Sequence, residues 1–283
     1  MPTFKRILIL IFGAAIAIGG FAQESPDKTF SDTRIINSHS VEMQPQGTMK
    51  FIISHRFGAI NSGGQELWGL DNSRIRLGLD YAPLPFLNIG VGRSSEQKNF
   101  DFFLKYRFLQ QDSSRPVSLV FYAEASYLTD ERATEGFDFA IKLSYTYQLL
   151  IARKITDRLS LQLMPTWLHR NCVTDQVSDH DIFSMGSAAR YQLNKRIALN
   201  VEYFYLLPDQ LGPDPLGNER MSSLGVGVEI ETKGHIFQLN FTNSRDFVAP
   251  FYLGDTTGDF FDGDVHFGFN ITRDFKVSHR KYD

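Results

Sequence analysis

Residues 72–92 read NSRIRLGLDYAPLPFLNIGVG, and their alternation decides the fold. Ile75, Leu77, Leu79 and Tyr81 share one face of a strand, and Arg74, Arg76, Gly78 and Asp80 share the other. A short proline-containing turn follows. Leu87, Ile89 and Val91 then alternate with Asn88, Gly90 and Gly92. Side chains of a strand point alternately to opposite faces, so this is a hairpin with one apolar and one polar face. A soluble sandwich turns its apolar face inward, whereas a membrane barrel turns it outward to lipid around a wet lumen.

The same construction recurs down the chain and gives twelve candidate strands. They cover residues 49–57, the two strands of the quoted hairpin, 100–108, 117–127, 137–148, 159–168, 183–193, 197–206, 224–231, 236–243 and 265–271. Ile52 breaks the alternation of the first strand. Pro165 cannot donate a ladder hydrogen bond, so a bulge or the outer rim is expected there. Connections after even-numbered strands are short and those after odd-numbered strands are mostly long, 94–99 being the exception. Short periplasmic turns opposite longer extracellular loops are what outer-membrane barrels show. The fold class expected is therefore all-β: a closed antiparallel transmembrane β-barrel of about twelve strands. A soluble secreted β protein is the competing reading.

The ends of the chain fit export. Lys5 and Arg6, an apolar run from Ile7 to Ile18 and Gly20-Phe21-Ala22 have the form of a cleaved signal peptide over 1–22. Residues 23–46 are polar and without period and read as a periplasmic N-terminal segment. The barrel is expected over 47–277, with a charged tail at 278–283. Cleavage removes Lys5 and Arg6 and no acid, moving the net charge from −3 to −5, which argues against a nucleic-acid partner. Cys172 is the single cysteine, so no intramolecular disulfide is possible. Outer-membrane lipid, lipopolysaccharide and the barrel-insertion machinery are the expected partners, with a small solute or a protein partner unspecified. No cofactor is expected.

Several short runs resemble a known family. They are Thr33-Arg34-Ile35-Ile36-Asn37, His39-Ser40-Val41-Glu42, Ser54-His55-Arg56-Phe57-Gly58 and Gly69-Leu70-Asp71, with residues 75–81 and 90–95. Lys105-Tyr106, Met164-Pro165-Thr166 and His169-Arg170-Asn171 add to them. Together they resemble a family of Bacteroidota outer-membrane β-barrel proteins known as a domain of unknown function. The resemblance spans the mature chain, is densest over 33–107, and implies a Gram-negative outer-membrane barrel. It carries no activity and no catalytic residues. At the C-terminus Arg273 departs from the hydrophobe expected in a final barrel strand.

The inward charges are the strongest local signal. Arg56, Arg74, Arg76, Lys105, Arg107, Lys142 and Arg190, with Lys50, oppose Asp80, Asp101, Glu124, Asp138, Glu202 and Glu229, with Glu231 and Asp264. Two readings follow: a mutually compensated network that plugs the lumen, or a narrow channel with a basic wall facing an acidic one. The basic arc favours anionic solutes in the second. Asp175, Asp179, His180 and Asp181 form an acidic loop with a histidine, as a rim hydrolase requires, although nothing fixes their geometry. Asp255, Asp259, Asp262 and Asp264 have oxygen ligands suited to calcium without the EF-hand spacing. His55 and Arg93 fall on apolar parity, where snorkelling at the membrane boundary accounts for them. No serine–histidine set is evident, so no catalytic or metal residue is assigned. The functional reading is an outer-membrane barrel without enzymatic activity that passes a small solute. The alternatives are a plugged scaffold or binding protein, and a hydrolase at the extracellular rim.

Overall fold

The computed structural model describes residues 28–131, 135–173 and 178–277. The expected signal peptide at 1–22, the tail at 278–283 and Asp175 lie outside the described residues. Twelve strands form one closed antiparallel barrel. They are β1 (Thr48–Ala59), β2 (Ser73–Leu84), β3 (Leu87–Ser94), β4 (Phe100–Leu109), β5 (Ser118–Tyr127) and β6 (Leu143–Lys154). There follow β7 (Leu159–Arg170), β8 (Asp181–Gln192), β9 (Ile197–Leu206), β10 (Ser223–Glu231), β11 (Ile236–Thr242) and β12 (His266–Lys276). Each pairs with its sequence neighbour, and β12 closes on β1 from Thr48 opposite Lys276 to Ala59 opposite His266. Most strands run 9–12 residues, enough to cross a bilayer core when tilted.

The outward positions form an apolar belt. Phe51, Leu77, Leu79, Ile89, Phe102, Leu104, Leu199 and Leu239 are all exposed, while the alternate residues of the same strands are buried inside. His55 stacks on Phe269 at 5.0 Å, and the Arg93 guanidinium lies over the Phe100 ring at 5.3 Å, so both are held by belt aromatics.

Four local expectations are sharpened or corrected. The sixth strand begins at Leu143, not at residue 137: the ladder to β5 ends at the Tyr127–Leu143 pair, with one last bond from Leu128 N–H to Lys142 O. Residues 138–143 instead make successive turns, Ile141 N–H to Asp138 O and Leu143 N–H to Ala140 O. Pro165 lies within β7 opposite Met185, with no bulge in either ladder; on the β6 side the pairing skips from Gln148–Thr166 to Ile151–Leu163. The last strand runs on to Lys276, so Arg273 sits within it and Phe275 provides the terminal outward aromatic. Ile52 breaks the alternation as expected, an apolar residue on the inward face at 1% exposure, but the strand runs on through it.

A fifth difference concerns the lumen. Twelve strands enclose more space than wall side chains alone fill. Residues 29–44, expected as a periplasmic segment, lie inside the barrel and are almost wholly buried. They form a hairpin bridged at Arg34 and His39, with the Ile35 amide donating to Ser38 O and the Ser40 amide to Thr33 O. Its base sits at the short-turn end, where the Gly47 amide donates to Ala82 O. From the long-loop end the connection between β11 and β12 folds inward as α1 (Ala249–Gly254), all six residues of which are buried. Phe30, Ile35, Ile36 and Val41 of the hairpin and Ala249, Tyr252 and Leu253 of α1 share one apolar cluster with the wall residues Phe103, Val120, Tyr122, Leu150, Met164, Leu168, Ile182 and Phe204.

Candidate functional site in the barrel lumen

Strand parity alone places the lumenal charges, but their partners depend on the hairpin. Lys50 on β1 pairs with Asp32, which also accepts from the Thr272 hydroxyl at 2.7 Å. Lys105 on β4 donates to the carbonyls of Ser40 at 2.8 Å and Glu42 at 2.7 Å. Gln162 on β7 clamps the same arm: its amide oxygen accepts from Val41 N–H at 2.9 Å and its amide nitrogen donates to His39 O at 2.8 Å. Glu202 on β9 holds the tip, accepting backbone N–H bonds from Ile36, Asn37 and Ser38 at 3.3, 3.1 and 3.0 Å and the Ser38 hydroxyl at 2.6 Å. Gln238 donates to Arg34 O and Asn270 to Ile36 O, at 3.2 and 3.1 Å. A buried charge is costly unless paired and hydrogen-bonded, and the hairpin supplies the partners that several of these charges need.

Arg56 joins the hairpin to the loop. Fully buried, it donates to Asn37 Oδ1 at 2.8 Å, Asn240 Oδ1 at 3.3 Å and the carbonyls of Ser244 and Asp246 at 3.0 and 3.1 Å. Its guanidinium lies 4.8 Å from the Phe247 ring centre. At the long-loop mouth Arg74 bridges Asp246 and Glu96. Burial pushes the Asp246 carboxyl up to about 7, against the pull of Arg74, and nearby Glu96 adds to the rise. Asp255 lies 3.6 Å from Arg170 and 3.3 Å from Arg220.

The remaining expected charges divide three ways. Arg76 and Asp101 form a bidentate ion pair along one wall, not across the lumen. The pair depends on the glycines of the opening hairpin: a Cβ on Gly78 would lie 2.7 Å from Arg76 Nη1, and one on Gly92 would collide with the same guanidinium. Asp80 is buried opposite Lys50 in the ladder, Glu124 accepts from the Tyr122 hydroxyl, and Arg190 pairs with Glu229 at 3.2 Å. Arg107 is half-buried at the short-turn mouth and donates to Pro85 O at 3.0 Å. Asp138 and Lys142 are not lumenal, because both precede β6; Asp138 is exposed. Opposed basic and acidic walls are therefore not what the lumen presents: its cations meet neighbouring carboxylates or hairpin oxygens.

The two acidic loops do not become sites. Asp181 accepts from Trp167 Nε1 and pairs with His169 Nδ1, each at 2.8 Å, while His180 Nδ1 bonds Arg170 O. His169 and His180 thus flank a carboxylate, while the hydroxyl of Ser178 accepts from the Gly212 amide at 2.9 Å. The aspartates of the last loop diverge: Asp255 turns to Arg170 and Arg220, Asp259 caps a short helical turn, and Asp264 bonds Asn61. Among the described residues, no group of three or more His, Cys, Asp or Glu could hold a metal.

Sequence reasoning missed Ser31, Asp32, Asn37, Ser38 and Gln162. Two signals pointed to them. Inward positions of β5 to β9 include Val120, Tyr122, Leu150, Met164 and Phe204, which an aqueous lumen leaves uncovered. The densest part of the family resemblance also includes residues 33–42, more than a linker requires.

Residues 30–275 match the family described as "Membrane bound beta barrel domain (DUF5777)", and the match includes the hairpin. No curated protein sequence matches the chain. Among solved structures, the NanC porin is 8% identical with a TM-score of 0.51, over 81% of this chain and 100% of that one. The KdgM porin is 10% identical with a TM-score of 0.48, over 81% and 99%. The Acinetobacter baumannii outer membrane protein Omp33 is 8% identical with a TM-score of 0.44, over 81% and 100%. The likeness to NanC is one of fold.

Proposed function

The chain belongs to this family of membrane-bound β-barrel domains, and from that premise we propose that it is a plugged outer-membrane barrel, sealed at rest. In this reading the short turns face the periplasm, so the hairpin enters from the periplasmic mouth and α1 from the extracellular one. The protein acts by what binds in its lumen and at its mouths, and a solute passes only when the hairpin leaves. No catalytic step is assigned to it.

One observation carries the reading. The hairpin is fastened to the wall at both its arm and its tip, by Lys105 and Gln162 on one side and Glu202 on the other. Beside its base lies a small polar pocket lined by Lys28, Glu42, Arg107 and Gln111. A standing channel for small solutes needs a continuous wet path, and buried main-chain hydrogen bonds across the axis oppose one.

Planar bilayers test this. The full-length protein is expected to give no steady single-channel current, and a variant with Asp32→Asn and Ser38→Ala to give intermittent openings. Steady conductance from the unaltered chain overturns the proposal.

A further inference from the structure

The way the wall holds the hairpin is unlike the packing of two arbitrary surfaces. Gln162 makes paired bonds to the carbonyl of residue 39 and the amide of residue 41, as a neighbouring strand does. Lys105 takes the carbonyls of residues 40 and 42, and Glu202 takes three successive amides. These contacts read main chain, which every polypeptide carries. Contacts that read side chains are nearly as many: Asp32 on Lys50 and Thr272, Ser31 between Arg190 and Glu229, Asn37 on Arg56 and the Ser38 hydroxyl on Glu202. Between them Phe30, Ile35 and Val41 cover the apolar arc of the wall. Recognition of extended peptides works in this manner, with main-chain bonds giving affinity and a few pockets giving selectivity.

We infer that the lumen is a peptide-binding groove, with the hairpin as its resident ligand. The ligand class that takes the hairpin's place is a peptide hairpin, with an extended arm for Gln162 and Lys105, a tight turn whose successive amides meet Glu202, apolar side chains along one face and a carboxylate for Lys50. The inference rests on the plugged-barrel reading and names the ligand of that same lumen. A small anion satisfies Lys50 and Lys105 but neither engages the paired donor and acceptor of Gln162 at main-chain spacing nor covers the apolar arc. A peptide does all three.

The test uses the full-length chain in detergent micelles with Asp32→Asn and Ser38→Ala loosening the hairpin, and a fluorescent synthetic peptide with the sequence of residues 29–44. Anisotropy is expected to show the peptide binding the loosened chain at least about tenfold more tightly than the unaltered one, since the resident competes in the latter. N-methylation at Ile36, Ser38 and Val41 is expected to weaken binding about tenfold or more, as is Gln162→Ala in the loosened chain, each change removing at least two buried hydrogen bonds. Should the double variant lose its heat-modifiable migration, Asp32→Asn alone, which leaves the wall unchanged, replaces it. An N-methylated peptide that binds as well as its parent overturns the inference, and so does displacement of the peptide by equimolar gluconate. Failure of the broader reading looks different: maleimide then reacts readily with Ile36→Cys in a barrel whose only other change is Cys172→Ser. A hairpin protected there, labelled in the loosened chain, and not replaced by peptide removes this inference alone.

Discussion

Replacing Glu202 by alanine should release the hairpin tip. The carboxylate accepts three backbone amides and one hydroxyl, all buried. Hydrogen bonds to a charged group contribute about 1.5–3 kcal/mol each, and a buried donor left unpaired costs about 1–3 kcal/mol. Against that, the variant no longer desolvates a carboxylate, which returns part of the loss. A net weakening of hairpin docking by about 4 kcal/mol follows, near three decades in the undocked population at about 1.4 kcal/mol per decade. Glu202→Gln keeps one acceptor but turns a donor toward the amides, so about half that loss is expected. The assay is maleimide labelling of Ile36→Cys in a Cys172→Ser background, because Ile36 is 3% exposed when docked and Cys172 is the chain's only thiol. While reclosing outpaces labelling, the rate tracks the open population. Unchanged heat-modifiable migration confirms an intact barrel in each variant. Labelling of Glu202→Ala within threefold of the parent refutes the reasoning.

Arg56→Ala removes the side chain shared by hairpin and loop, so cysteines placed at Ile36 and at Leu253 should become reactive together; protection retained at either position counts against a shared anchor. Gly92→Ala drives a methyl into the Arg76 guanidinium and should destabilise the barrel by about 1–3 kcal/mol in urea unfolding. The loss should shrink when Arg76→Ala is added, and strict additivity contradicts the packing argument. The docked loop binds a proton at Asp246 that the free loop lacks, because the carboxyl is raised to about 7. Loop docking is thus favoured in acid, and that contribution falls as pH rises from about 4 through 7. Protease cleavage of residues 243–265 should accordingly quicken between pH 6 and 8, with Asp246→Asn removing the dependence. Leu79→Arg puts a charge in the lipid-facing belt and should cost about 2–4 kcal/mol in vesicle folding if the site is near the midplane; no change there argues against membrane burial of that face.

Strand alternation made the wall legible, because period two is a local property that Ile75 to Tyr81 display without reference to anything distant. It misled where alternation continued without a partner. Phe137, Phe139 and Ile141 keep the pattern, yet β5 has already ended, and pairing is a property of two segments. The lumenal charges were likewise placed by parity, and Arg56, Arg76, Asp101 and Glu202 are buried in the structure. Their partners were not legible: Lys50 meets Asp32 and Glu202 meets residues 36–38, contacts set by how a polar, aperiodic segment returns into the barrel. Such a segment carries no period to read. Its polarity matches a solvated linker as well as it matches a polar lumen.

The inner wall itself supplies the argument that the plug is a fixed part of the resting fold. Val120, Tyr122, Leu150, Met164, Leu168 and Phe204 project inward from β5 to β9 and are no more than 2% exposed. Burying an aliphatic or aromatic side chain contributes about 1.5–3 kcal/mol. Water along this arc would forfeit several such terms at once, while Lys50, Lys105 and Glu202 would lose their partners. Both losses have the same remedy, because one face of the hairpin is apolar and its main chain is polar. An opening motion that merely withdrew the hairpin would therefore meet a steep cost. A motion that exchanges it for another amphipathic segment meets far less, and that difference favours exchange over ejection as the way this lumen opens.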